Sequence, residues 1–440
     1  MRPRQTRPRL LQAMLDAFRL PDLRRRLLFT GAMLVVFRVI AHVPLPGVDA
    51  EKLGQIFQQN ALLGMLDMFS GGAMRNFSVA AMGVYPYITA TIIMQLMQPV
   101  IPRLQMLAQE GEAGRNKINR ITHWLVIPLA GIAGYGQLAL LQRQGVVASA
   151  DGLATAAMVF SMIAGTMFLV WLGELITEYG IGNGISIIIF GGIVAGYWQM
   201  VGEGLLAGQQ GQVMGIVVYV LIALVTVVLI VLFTEAHRRI PVQYARTTFR
   251  GGRMYRQSGG THIPLRVNSA GMIPLIFAMS MVLFPGMIAS YFANPTGADP
   301  NLANHIMNIF SPTAPLPLGL FYWMLYFGLV IFFAFFYTMV IFQQQDLPGT
   351  LQRQGGFIPG IRPGKNTSTY LNHVITRITA VGAFFLAFVA IIPFLAREVS
   401  DVQVIQLSSM GLLIVVGVVL DTMKQVEAQL TMRRYEGFIR

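Results

Sequence analysis

VMGIVVYVLIALVTVVLIVLF occupies residues 213–233 and carries no charged side chain. A helix of roughly 20 such residues crosses the roughly 30 Å hydrocarbon core of a bilayer. Immediately beyond it the composition inverts. Arg238, Arg239, Arg246, Arg250, Arg253, Arg256 and Arg266 stand against one acid, Glu235, in the gap 235–267. Basic residues are retained on the cytoplasmic side during insertion, so this span ends in the cytoplasm.

Working outward, nine more apolar runs appear, giving ten candidate spans: 27–43, 79–101, 121–141, 153–176, 183–201, 212–234, 268–292, 316–342, 374–396 and 403–423. The composition agrees: 55% of the 440 residues are apolar and only 12% are charged, against roughly 25% charged in a soluble domain. Nearly all of the 32 Lys and Arg fall in every second gap. One side collects Arg2, Arg4, Arg7, Arg9, Arg19 and Arg24 to Arg26, then Arg103, Arg115, Lys117 and Arg120. The same side receives the seven arginines after span 6, then Arg353, Arg362, Lys365 and Arg377, and finally Lys424, Arg433, Arg434 and Arg440. The opposite side holds Lys52, Arg75, Arg143 and Arg397. Both termini are therefore expected in the cytoplasm, which requires an even number of spans. The basic N-terminus and first apolar run imitate a signal peptide. No small-x-small cleavage site follows Ile40, so an uncleaved first helix is expected.

The expected fold is an all-α polytopic membrane protein of ten transmembrane helices. A basic segment 1–26 precedes a first half, 27–201. An external connection, 202–211, leads to a second half, 212–423, and a cytoplasmic tail, 424–440. Five spans per half place the second half inverted relative to the first, an arrangement that recurs in proteins moving substrates across bilayers.

Between spans 1 and 2, an apolar run from Ala61 to Phe69 contains Asp67 and ends in Ser70, Gly71 and Gly72. It is too short to span, and runs of about 10–14 residues suggest re-entrant or interfacial segments. It reads equally as a surface amphipathic helix or as a small helix folded into a central cavity, with the glycine pair as a joint. The gap 235–267 contains Gly251-Gly252 and Gly259-Gly260, the pattern of a tip with two extended arms. The gap 343–373 is likewise rich in turns. Anionic phospholipid attracts basic loops at about 1 kcal/mol per residue, yet that attraction does not explain two long, turn-rich loops. An anionic partner such as ribosomal RNA is drawn by the same field.

Catalytic chemistry is missing. Pro359 stands where the first glycine of a phosphate loop belongs, and Asn366 follows Lys365. Gly180, Gly182 and Gly184 follow no strand, which disfavours dinucleotide binding. Gly184-Ile185-Ser186 has no histidine deep in a span to serve as a base. His42, His123, His237, His262, His305 and His373 make no metal-ligand pattern, and there is no cysteine. No enzyme activity, cofactor or metal is expected. Ion-coupled transport leaves ionisable groups deep in the membrane. Here Arg38 sits near the outer end of span 1, where it can snorkel, and Glu174, Glu178 and Asp421 lie at span ends. A gated pore fits this better than a secondary transporter. Val84 with Ile88, and Ile185 with Ile189, share helix faces at a spacing of four. A ring of such side chains blocks water and ions by dewetting.

Motifs along the whole chain carry a resemblance to the SecY/Sec61-alpha family of protein translocase channel subunits. They are Phe69-Ser-Gly-Gly-Ala73, Pro86-Tyr-Ile88 leading to Ile92-Ile-Met-Gln95, and Glu110-Gly-Glu-Ala-Gly-Arg115. Gly165-Thr-Met-Phe168, Trp171-Leu-Gly-Glu174 and Gly180-Ile-Gly-Asn-Gly-Ile-Ser186 continue the series. Asn268-Ser-Ala-Gly-Met-Ile-Pro274 and Pro359-Gly-Ile-Arg-Pro-Gly364 complete it. The resemblance implies a clamshell of two five-helix halves around a pore. The pore ring would be Val84, Ile88, Ile185, Ile189, Ile276 and Ile414, with Val84 a departure from the family's usual isoleucine. The plug would be about 60–74, with Asn60, Leu62, Leu63, Met65, Leu66, Met68, Phe69, Gly71 and Gly72, which favours the re-entrant reading. The lateral gate would lie between spans 2–3 and 7–8, with Thr89 and Phe284 facing it and Gln95 and Asn268 as its polar cluster. Asn268 also reads as a plain helix N-cap. Arg246, Arg250, Arg253, Arg256, Arg362 and Lys365 would dock the ribosome or the SecA ATPase. SecE and SecG would be partner subunits, preprotein signal sequences the cargo, and SecDF and YidC accessory proteins, all in a bacterial cytoplasmic membrane.

Overall fold

The computed structural model describes residues 20–49, 52–54, 67, 70–143, 145–147, 151–209, 213–250, 253–268, 271, 273–293, 301–311, 314, 318–345, 347–362, 364–400 and 406–436. Each of the ten expected spans falls on a helix. These are α1 (Pro21–Ala41), α2 (Tyr85–Met97), α4 (Glu112–Arg143), α5 (Gly152–Tyr179) and α6 (Gly184–Gln209). They continue with α7 (Val213–Glu235), α8 (Ile273–Phe292), α10 (Leu318–Gln345), α12 (Lys365–Ser400) and α13 (Gln406–Glu436). Short helices α3 (Pro102–Gln109), α9 (Leu302–Ile309) and α11 (Leu347–Arg353) join them. Among the described residues, five stretches are long and apolar enough to cross a membrane: Glu112–Gln142, Gly152–Tyr179, Ile273–Phe292, Leu318–Arg353 and Lys365–Ile392.

The chain divides into two units. The first comprises the chain up to Ala223, Ser280–Tyr322 and Ala396–Arg440; the second comprises Leu224–Met279 and Trp323–Leu395. In the first, α2 packs on α4 and α5, α5 on α6, and α1 and α13 on α6. Small residues set these approaches. A side chain at Gly165 would strike the main chain of Val79, and one at Gly184 would strike that of Gly173. At one end of α4 and α5, Leu45, Phe77, Met82, Ala130, Leu138, Val147 and Met162 form a buried core. Phe77 is held at a φ of 40° in that core and is fully buried, so packing over-determines a conformation that costs of order 1–3 kcal/mol.

Span 2 starts later than its hydropathy indicates. Residues 79–84 are turns, with Gly83 at a φ of 55°, and the helix begins at Tyr85 with Pro86 in its first turn. Pro costs nothing there because its missing N–H has no helical partner in the first turn.

The second unit contains a body built from the two long basic loops. β1 (His237–Arg250) and β2 (Arg253–Arg266) form an antiparallel hairpin whose terminal pair is Arg250 with Arg253. β3 (Gly356–Phe357), from the other long loop, pairs with β1 through Gln243 with Phe357 and Tyr244 with Gly356. Ile240, Val242, Leu265, Leu351, Ile358, Leu371 and Val374 close one core beneath this sheet. Strand alternation explains it: Ile240 and Val242 are two apart and fall on one face.

Candidate functional site

Five of the six pore-ring positions lie in the first unit: Val84 and Ile88 at the start of α2, Ile185 and Ile189 on α6, and Ile414 on α13. Asn183 begins α6: its side chain accepts from the Ser186 amide at 3.1 Å and its carbonyl from the Ile187 amide at 3.0 Å. The glycine-rich turn before it holds Gly182 at a φ of 87°. This is a tight helix-to-helix junction, and it sets Ile185 and Ile189 one turn apart at the start of α6. Ile189 is 2% exposed and Ile185 half-buried. Val84 is the residue capping α2, and its carbonyl accepts from the Ile88 amide at 3.1 Å. Both are buried, as is Ile414 on α13, which packs on α6. Ile276 is buried in the second unit.

Of the plug positions, Asn60, Leu62, Leu63, Met65, Leu66, Met68 and Phe69 lie outside the described residues. Gly71 and Gly72 are described, at φ values of 69° and 83°. A side chain on Gly71 would come within 2.6 Å of the Phe37 ring and 2.8 Å of the Gly192 main chain. Both glycines are therefore favoured by conformation, and Gly71 also by close approach to α1 and α6. Arg38 is tied to the segment that follows span 1. Its Nη1 donates to the Gly71 carbonyl at 2.6 Å. Asp67 is buried and receives the Arg75 guanidinium at 3.0 Å, the Ser70 hydroxyl at 3.1 Å and the Met74 and Arg75 amides at 3.2 Å. Burial pushes its carboxyl above the ordinary range, while the Arg75 charge and these hydrogen bonds pull it back.

At the gate positions, Thr89 is half-buried and bonds the Tyr85 carbonyl at 3.1 Å, and Phe284 is 40% exposed. The side-chain oxygen of Gln95 is buried and unpartnered among the described residues. Asn268 belongs to the second unit. The N-cap reading of it fails, because α8 starts only at Ile273, five residues later. The hydropathy of 268–292 had merged the approach segment with the helix.

Of the docking residues, Arg362 and Lys365 are exposed, where the loop turns into α12. The Arg362 carbonyl accepts from Thr367 Oγ1 at 3.0 Å, which orders that turn. Arg246 and Arg250 stand on β1, and Arg253 and Arg256 on β2; their side chains lie outside the described residues. Sequence reasoning missed the His123 and Glu174 pair, whose Nε2 and Oε1 are 3.0 Å apart, and the union of both loops through β3. Neither leaves a local signal, since the partners are far apart in the chain.

Comparison with known proteins fits this geometry. The SecY family model matches residues 78–423. Among curated relatives, the chain is 43% identical to the protein translocase subunit SecY of Halalkalibacterium halodurans, over 97% of this chain and 99% of that one. It is 41% identical to that of Escherichia coli, over 96% and 95%. Among solved structures, one of a protein conducting channel aligns at 15% identity with a TM-score of 0.63, covering 94% of this chain and 96% of that one. Sec61 in a canine ribosome-channel complex aligns at 15% identity with a TM-score of 0.61, over the same shares. The fold is thus that of these channels, and the match to relatives over nearly the full length shows that this multi-pass membrane chain belongs to the SecY family.

Proposed function

We propose that this chain is a passive, gated protein-conducting channel of the bacterial cytoplasmic membrane, with both termini in the cytoplasm. Unfolded secretory polypeptides pass through it, and hydrophobic segments leave it sideways into lipid. The observation that carries this reading is the seating of Gly71 against Gly192, on the helix that also bears Ile185 and Ile189. A segment seated there can seal a constriction built from Val84, Ile88, Ile185, Ile189, Ile276 and Ile414. Aliphatic side chains suit a constriction that must seal and reseal, because they offer a passing chain neither charge nor hydrogen bonds. A signal segment of about 20 apolar residues enters between Thr89 and Phe284, drawn by transfer to a medium like its own side chains.

The energy comes from outside. The body joining the loops 235–267 and 343–373 presents Arg362 and Lys365 to a SecA-type ATPase or the ribosome, and the hairpin strands carry Arg246, Arg250, Arg253 and Arg256 as further docking positions. SecE and SecG complete the channel in this reading.

The test is reconstitution with partner subunits and site-specific crosslinking from position 189 to a stalled preprotein. A crosslink is expected. Small-solute uptake with no preprotein adduct overturns the proposal in favour of a transporter. For docking, Arg362→Glu is expected to cut ATP-driven preprotein uptake at least tenfold while the channel itself inserts normally; uptake at the parent rate refutes that role.

A further inference from the structure

α9 (Leu302–Ile309) stands in the connection between α8 and α10, and none of its eight residues is buried. A helix that short is unstable alone in water, where about 12–15 residues are needed. Contacts at both ends hold it, all within the first unit. The Asn301 side chain caps it by accepting from the Asn304 amide at 2.9 Å. The same side chain donates through Nδ2 to the Phe292 carbonyl, at the end of α8, at 2.8 Å. Just past the other end, Phe310 meets the Phe321 ring of α10 edge to face, with centroids 6.3 Å apart. One end is thus fastened to one apolar span and the other end to the next.

The sequence of α9 has two faces. At about 100° per residue, Leu302, Ala303, Ile306, Met307 and Ile309 fall on one side, and Asn304, His305 and Asn308 on the other. Leu302 is 76% exposed on the apolar side, and His305 and Asn308 are exposed on the polar side. Phe292 and Phe321, at the two fastenings, are 63% and 51% exposed. Exposed apolar surface therefore continues from the end of one span, across Leu302, to the start of the next.

Charge and size narrow what can cover it. Residues 300–345 contain no Asp, Glu, Lys or Arg, so neither an anionic headgroup nor a charged protein surface finds a formal counter-charge there. Eight residues make a helix about 12 Å long. One face of it falls far short of the roughly 800 Å² per partner that a stable protein interface takes. A helix with an apolar side and a neutral polar side fits the boundary between acyl chains and headgroups. It needs little affinity of its own, because two spans already hold it beside that boundary.

We propose that α9 is an in-plane interfacial helix lying on the outer leaflet, with Leu302, Ile306 and Ile309 toward the acyl chains, His305 and Asn308 toward water, and zwitterionic phospholipid as its partner. This rests on the reading that the chain spans the membrane and that α8 emerges on the outer side.

The test uses the full channel reconstituted with cysteine-free partner subunits in phosphatidylcholine vesicles. The chain has no cysteine, so a nitroxide is placed singly at Ile306→Cys, Ile309→Cys, His305→Cys or Asn308→Cys. Collision with oxygen, which collects in lipid, and with a nickel chelate confined to water reads the depth of each label. Labels at 306 and 309 are expected about 5–10 Å into the headgroup and acyl boundary, and labels at 305 and 308 in water. Replacing part of the lipid with phosphatidylglycerol is expected to leave these depths unchanged. Equal nickel access on both faces overturns the proposal. So does protection of 306 and 309 from oxygen and nickel alike, which is the mark of a covering protein or a second copy. A depth that grows with phosphatidylglycerol overturns the choice of lipid. The underlying reading is checked separately with an impermeant maleimide on spheroplasts: labelling of His305→Cys only after the membrane is broken overturns the sidedness and leaves the nitroxide depths to stand by themselves.

Discussion

Replacing Gly71 with alanine adds one methyl group at a crowded position of the proposed plug. Two costs follow. The residue has a φ of 69°, and a left-handed conformation costs an L-residue roughly 1–2 kcal/mol. The methyl would also sit 2.6 Å from the Phe37 ring and 2.8 Å from the Gly192 Cα. Phe37 is 1% exposed and cannot swing into solvent, and Gly192 is helix backbone, so neither yields readily. Overpacking of this kind costs typically about 1–3 kcal/mol. The sum, about 2–5 kcal/mol, acts against the seated arrangement only. With a factor of ten for every 1.4 kcal/mol, a mid-range cost of about 3 kcal/mol multiplies the unseated fraction roughly 100-fold. The assay is ion conductance across planar bilayers in the absence of preprotein. Gly72→Ala is the internal control: its φ of 83° gives the same backbone cost, but the nearest atom to an added methyl is Arg38 Nη1 at 3.6 Å. Its leak is expected to rise only about tenfold. If Gly71→Ala leaks no more than Gly72→Ala, the contact with Phe37 and Gly192 does not hold the seal.

Asp67→Asn keeps an acceptor for the Met74 and Arg75 amides but removes the charge that Arg75 meets at 3.0 Å. Because Arg75 is 39% exposed, water replaces part of that interaction, and a loss of about 1 kcal/mol, read as a several-fold rise in resting leak, is expected. A leak equal to the parent's would show that the pair contributes nothing to closure. Ile185→Gly or Ile414→Gly is expected to raise small-ion conductance, since each removes an aliphatic side chain from the proposed constriction; unchanged conductance would count against those assignments. Val242→Asp places a carboxylate at a fully buried position in the loop body and is expected to cost several kcal/mol. Limited trypsin digestion should then cut at Arg353 in the variant but not in the parent, and identical digestion patterns would contradict the shared core.

The sequence alone settled what is local and one-dimensional. The free energy of burying an apolar run in lipid depends on its own residues, so candidate spans were legible: each of the ten falls on a helix, and among the described residues five stretches are long and apolar enough to cross a membrane. Charge asymmetry is likewise a sum over each gap, which is why the expected orientation could be written without coordinates. The hairpin arms were legible because glycine pairs punctuate an extended, β-branched stretch. Boundaries were less so: hydropathy cannot see that Gly83 has a positive φ or that α8 begins at Ile273 and not at Asn268. What only the tertiary structure decided are contacts between residues distant in the chain. Arg38 meets a carbonyl 33 residues away, Tyr85 one 195 away and Tyr291 one 158 away, and β3 joins two loops into a single body. Main-chain carbonyls and glycine surfaces, which take half of each such contact, look alike in every sequence. Their partners become identifiable only once packing has brought the helices within touching distance.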